Sequence, residues 1–209
     1  MTNTLHRQGA EEDLKGDYVI FVSMAREINK KGSATKIHEF LRICKKYNPV
    51  NIGCSKWGSV LQDDVEFDDL IANLKDGSTS GAVFTDLDTL QKVMAELIEA
   101  DLGISINVSG LLESVQECCH GNGIERHSVE DSLGFWESQD RLPEREILEL
   151  NTLCGHGMVS FNLIHKMIDY LKLRRLTPKE AARIMGKCCE CAVFNTDRAE
   201  RLLEKMLES

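Results

Sequence analysis

Apolar residues recur along this chain with two different periods, and the change from one to the other divides it. The run Asp17 to Ala25, DYVIFVSMA, is rich in β-branched and aromatic side chains and reads as a buried strand. After it, Ile37, Phe40, Leu41 and Cys44 recur at the three-and-four spacing of one helical face, which Ser33 can cap. Pro49 disfavours helical geometry at the residue before it, and VNIGCS returns as a second strand.

The same plan follows the polar stretch KDGSTSG. GAVFTD is a strand, Asp88 with Gln91 resembles a capping box, and Leu90, Val93, Met94, Leu97 and Ile98 form a helical face. LGISINVSG closes the unit as another strand. Two successive strand–helix–strand units suit a split βαβ, ferredoxin-like sheet, while a small open α/β sheet reads much the same. A third helix carries Leu111, Leu112, Val115, Cys118 and Cys119 on one face, and RHSVEDSLGFW reads as one more strand.

Beyond Pro143 the period is helical throughout. Ser160 can cap a helix that buries Phe161, Ile164, Met167, Ile168 and Leu171, and TPKE from Thr177 sets out cap, first-turn proline and return glutamate. Asn195 or Thr196 can cap the last helix, which turns Ala199, Leu202, Leu203, Met206 and Leu207 inward. The expected architecture is α+β: a flexible N-terminus over 1–15, an α/β domain over 16–136, and a helical region over 143–209 packed on it.

Composition narrows the function classes. A formal net charge of −9 opposes non-specific attraction to nucleic acid or anionic lipid, and the one basic cluster, KLRRL at Lys172 to Leu176, matches the cationic last turn of a helix. No apolar run approaches the roughly 20 residues of a membrane span. The opening segment has the character of neither a signal nor a transit peptide, so a cytoplasmic location is expected. There, eight cysteines point to metal binding, redox chemistry or burial in preference to a disulfide framework.

Position separates these uses. Cys44, Cys54, Cys118 and Cys119 continue apolar faces or strands and read as small buried hydrophobes, the last pair preceding His120. LCGHGM offers Cys154 and His156 at a helix end punctuated by glycines, and CCEC offers Cys188, Cys189 and Cys191. Cys191 falls beyond the helix and outside any apolar face. The candidate metal ligands are therefore Cys154, His156, Cys189 and Cys191, with Cys188 an alternative to Cys189. The C-x-C spacing is tighter than the usual zinc pattern, which tilts the reading toward an iron–sulfur cluster, whose thiolates bind different irons, with zinc as the other choice.

A second constellation, INVSGLLE, delivers Ser109 and Gly110 from a strand to a helix start, where backbone N–H groups can hold an anion, and Arg126 beside it can pair with one. His156 and His127 are candidate proton carriers. The resulting expectation is a thiolate-rich metalloprotein, an enzyme acting on a small anionic substrate. The rival is a non-catalytic sensor or assembly protein whose metal is structural and whose sheet mediates homodimer formation. Neither nucleic acid nor membrane is an expected partner.

Overall fold

The fold grows outward from β1 (Tyr18–Ser23), whose alternate residues are buried on both faces. In the computed structural model, which describes residues 7–131, 134, 136 and 139–208, β1 lies between β4 (Ser80–Phe84) and β5 (Ser105–Ser109). β2 (Asn51–Cys54) pairs with β4 on its other side, and a two-residue β3 (Gly58–Ser59) forms the edge, giving the order β3-β2-β4-β1-β5. Every pairing is antiparallel, so the parallel open-sheet alternative does not hold. The class is α+β, with helices on both faces of a mixed-length antiparallel sheet.

Period-two alternation assigns each strand residue to one of two cores. Tyr18, Ile20 and Val22 of β1 join Ala82 and Phe84 of β4 under α2 (Ser33–Lys46) and α4 (Leu87–Ala100), where Ile37, Phe40, Leu41, Leu90, Val93 and Leu97 close the first core. Val19 and Val83 face the opposite way. They form the floor of a second core built from α6 (Arg145–Asn151), α7 (Phe161–Lys172), α8 (Pro178–Gly186) and α9 (Thr196–Glu208). Among the described residues after Pro143, all regular structure is helical.

Several helix starts differ from the sequence expectation. Gly32, not Ser33, occupies the cap of α2, and its left-handed backbone leaves two N–H groups to the Asp76 carboxylate, which accepts from Gly32 at 2.8 Å and Ala34 at 2.9 Å. Asp86 rather than Asp88 caps α4, accepting from Thr89 N at 2.7 Å. Ser160, the Thr177–Glu180 capping box and Asn195 take their expected roles. No strand forms over 126–131 or at Gly134 and Trp136, because charged side chains there break the alternation a half-buried strand needs; the rest of that expected strand lies outside the described residues. The helix expected after Gly110 forms as α5 (Leu112–Gly121), and the short elements not anticipated are α1 (Glu11–Leu14), β3, α3 (Phe67–Ala72) and a 3-10 turn at Gln139–Arg141.

The N-terminal segment is tied to the C-terminal helix through one buried carboxylate. Asp17 Oδ2 meets Arg7 Nη1 and Arg198 Nη1, each at 2.9 Å, while its Oδ1 accepts from Asn195 Nδ2 at 3.0 Å. Arg198 also donates to the Gln8 carbonyl at 2.6 Å. Both Asp17 and Arg198 are fully buried, so removing either would leave the other's polar group without its partner in the interior.

Candidate metal centre

Two chain reversals meet over the sheet. The first follows α6, where Thr152 Oγ1 donates to the Leu148 carbonyl and Gly155 N to the Thr152 carbonyl, both at 2.7 Å. Gly155 and Gly157 then adopt left-handed φ of 80° and 64°, which turns the chain sharply on either side of His156. The buried Asn151 side chain secures the far end of this turn, donating to the Val159 carbonyl at 2.6 Å. The second reversal is the segment between α8 and α9, which carries Cys188, Cys189 and Cys191.

A pair of glycines seats that second segment. Gly53 of β2 and Gly81 of β4 face each other across the ladder. A Cβ on Gly53 would meet the β3 backbone at Gly58 and Ser59 and lie 2.8 Å from Ala192 Cβ, and one on Gly81 would lie 3.1 Å from both the Ile20 carbonyl oxygen and Val193 Cγ1, so the two glycines admit both the neighbouring strands and residues 192 and 193. Ala192 completes the fit in a left-handed conformation, φ 60°, that costs a non-glycine residue of order 1 kcal/mol and is held by full burial.

Together the reversals bring together residues more than thirty positions apart in sequence. The ligand atoms of Cys154, His156 and Cys191 all lie within 4.8 Å of one another, a group able to hold a metal ion. Cys189 adjoins them, its Sγ 2.9 Å from that of Cys191 and in hydrogen-bonding contact with Cys154. Cys154 and Cys189 are buried, Cys191 is half-buried, and His156 is exposed. Cys188 points elsewhere, exposed, with its Sγ near the Ile184 carbonyl.

The electrostatics of the cluster are those of several acids sharing too few counter-charges. Hydrogen bonds from Cys189, then Cys191, with a further one from His156, hold the Cys154 thiol far below the ordinary thiol range. Cys189 and Cys191 are pushed up, first because each thiol hydrogen-bonds to the Cys154 sulfur and then by burial, and His156 is raised by its hydrogen bond to the same sulfur. In contrast, burial is the main cause that raises Cys44, and it pushes Cys118 up to about 11 with help from the neighbouring Cys119, which favours the protonated thiol in the apolar core.

One wall of the cluster opens on a cavity of about 350 Å³. His156 and Cys191 line it beside Phe21, Gly81 and Val193, and its charged lining residues are two cations, Arg26 and Lys30. The sequence reading missed both cations and the two glycines. A lone glycine within each of the strands NIGC and SGAVF was the available signal, since glycine inside a strand marks close backbone approach.

The other candidate residues lie elsewhere. Ser109, Gly110, Arg126 and His127 all line a second cavity, of about 1030 Å³, along β5. Ser109 Oγ accepts from Arg7 Nη2 at 3.0 Å, and Arg126 Nη1 donates to the Leu112 carbonyl at 3.2 Å. Neither they nor His127 line the cavity beside the cluster. No helix among the described residues is long and apolar enough to cross a membrane.

Comparison of the chain with protein-family models, curated proteins and solved structures found no match.

Proposed function

We propose that this protein is a metalloprotein in which Cys154, Cys189, Cys191 and His156 hold a single thiophilic ion, zinc being the best fit, and that the ion serves an enzyme site opening on the 350 Å³ cavity. The observation that carries the reading is the convergence of three donor atoms within 4.8 Å, with a third sulfur against two of them. Metal–sulfur bonds of about 2.3 Å in a tetrahedron place neighbouring sulfurs about 3.8 Å apart, whereas an iron–sulfur cluster holds its thiolates apart by the width of its inorganic core. Donors that point at one another therefore favour one ion over a cluster. The strand order β2-β4-β1-β5, with two interleaved crossovers, supports a ferredoxin-like arrangement for the sheet domain beneath it. A cytoplasmic setting would keep the thiols reduced.

The exposed donor supports the enzyme role. Three sulfurs lie at least partly inside the protein, while His156 stands on a two-glycine turn at the cavity wall, so its displacement would open a coordination position toward a ligand. A second reading has its own support: four donors complete a tetrahedron, and closed sites of that kind clamp structure. Here the clamp would join the turn after α6 to the segment between α8 and α9.

Anaerobic purification with iron and zinc quantified per folded chain tests the centre. The parent is expected to carry about one zinc. Cys154→Ser, Cys189→Ser and Cys191→Ser are each expected to lose most of it, because a hydroxyl is a hard and weakly acidic donor, while Cys44→Ser retains it. Several irons with visible absorption would replace zinc by a cluster. A parent free of both metals, or four variants with the parent's content, would overturn the metalloprotein reading.

A further inference from the structure

We propose that the cavity beside the metal centre binds a small carboxylic acid with an apolar body, its carboxylate held by Lys30 and Arg26; this rests on the proposed metal site for its chemistry but not for its binding.

The charge at the cavity is opposite to that of the protein. The chain carries a net −9, yet the two charged residues along this lining are cations, and among the described residues no carboxylate lines it. The two cations draw an anionic group to this lining. Val19, Phe21 and Val193 add apolar side chains to the lining. An apolar segment of a few carbons is what that surface takes from water, and a volume of about 350 Å³ falls within the range of small-ligand pockets.

Lys30 is exposed, and its stem rests on Gly77. Gly77 has a left-handed φ of 78°, and a Cβ there would lie 2.4 Å from Lys30 Cε, so the lysine stem lies across a surface only glycine leaves free. Asp76, whose charge interacts with Lys30, accepts its hydrogen bonds from the backbone N–H groups of Gly32 and Ala34. Arg26 meets Glu27 at 3.8 Å with both side chains almost fully exposed, a pairing too weak to withhold it from a ligand.

Hexanoate, 1-hexanol and inorganic phosphate are the probes, titrated calorimetrically into the full-length protein as purified, with metal content measured on the same samples. Hexanoate is expected to bind at least about tenfold more tightly than 1-hexanol, since one charge-assisted hydrogen bond is of that order, and more tightly than phosphate, which lacks the apolar body. Lys30→Met keeps the stem over Gly77 and removes the charge, and Arg26→Gln changes an exposed side chain. Each is expected to weaken hexanoate severalfold, leave hexanol unchanged and leave metal content unchanged. Equal binding of hexanoate and hexanol, no hexanoate binding, or hexanoate binding indifferent to both substitutions would overturn the proposal. Hexanoate binding to a parent that holds no metal would sustain the anion site and remove the metal centre, so the two readings fail separately.

Discussion

His156 shows how one residue's setting assigns its chemistry. An exposed imidazole on a glycine-flanked turn is ordinarily a solvated side chain, but here it hydrogen-bonds to the buried Cys154 sulfur, whose own hydrogen bonds hold its thiol well below the ordinary range. In a ligand-exchanging centre His156→Ala should keep metal bound, because the three sulfurs remain, while water takes the fourth position. Cobalt substitution reads this directly: the variant should retain thiolate-to-metal charge-transfer bands near the parent's intensity with shifted ligand-field bands. If the metal is a closed clamp, the same substitution should release it as fully as Cys154→Ser. The cysteines illustrate how far identity alone reaches. Cys154 and Cys44 are both fully buried, yet one faces two thiols and an imidazole and the other faces an apolar core. Spacing singled out Cys191, which no apolar face explains, and so pointed to the segment that meets Cys154 and His156; it could not show that Cys188 turns away, since both orientations are open to a chain leaving a helix.

At the scale of elements, caps divide into those made by neighbours and those made by distant residues. Thr177 and Glu180 satisfy each other within one turn and were legible in four letters of sequence. The cap of α2 was not, because the carboxylate that completes it comes from Asp76, more than forty positions on. Those backbone hydrogen bonds hold the Asp76 carboxyl below its ordinary value, so its contribution to stability is present above the unfolded carboxylate pKa of about 4 and is lost as pH falls through the lower folded value. Asp76→Ala should therefore lower the thermal midpoint near neutral pH, and the gap from the parent should close in acid. A pH series of thermal melts checks it, and a gap that stays constant into acid would mean that the carboxylate's charge is not what caps the helix. The Gly53 and Gly81 pair belongs to the same scale: two strands that looked ordinary for their apolar content are shaped for the segment that crosses them.

Across the whole molecule, the N-terminal segment, the sheet and the last helix converge on Asp17. One carboxylate faces two guanidinium groups with full burial at Asp17 and Arg198, an arrangement that is costly to leave half-made. Arg198→Leu should reduce unfolding free energy by about 3–5 kcal/mol, the range for breaking a buried ion pair from one side. Urea denaturation of the metal-loaded protein measures it; a loss below about 1 kcal/mol would show that Arg7 alone satisfies Asp17.

By itself, the sequence determined the α+β class, the two strand–helix–strand units, the helical character after Pro143, and the segments that carry the thiols and imidazole. All of these rest on interactions between residues a few positions apart, where hydrophobic period, capping and turn chemistry act directly. Only the tertiary structure decided that the sheet is antiparallel in the order β3-β2-β4-β1-β5, that Cys154 and His156 meet Cys189 and Cys191, and that Ser109, Arg126 and His127 belong to a different cavity. Those outcomes depend on which distant surfaces bury each other. A glycine trough in β2 and β4 seats residues 192 and 193, and a carboxylate in front of β1 anchors Arg198. Such pairings are set by complementary shape and charge across the folded chain, which no local period records.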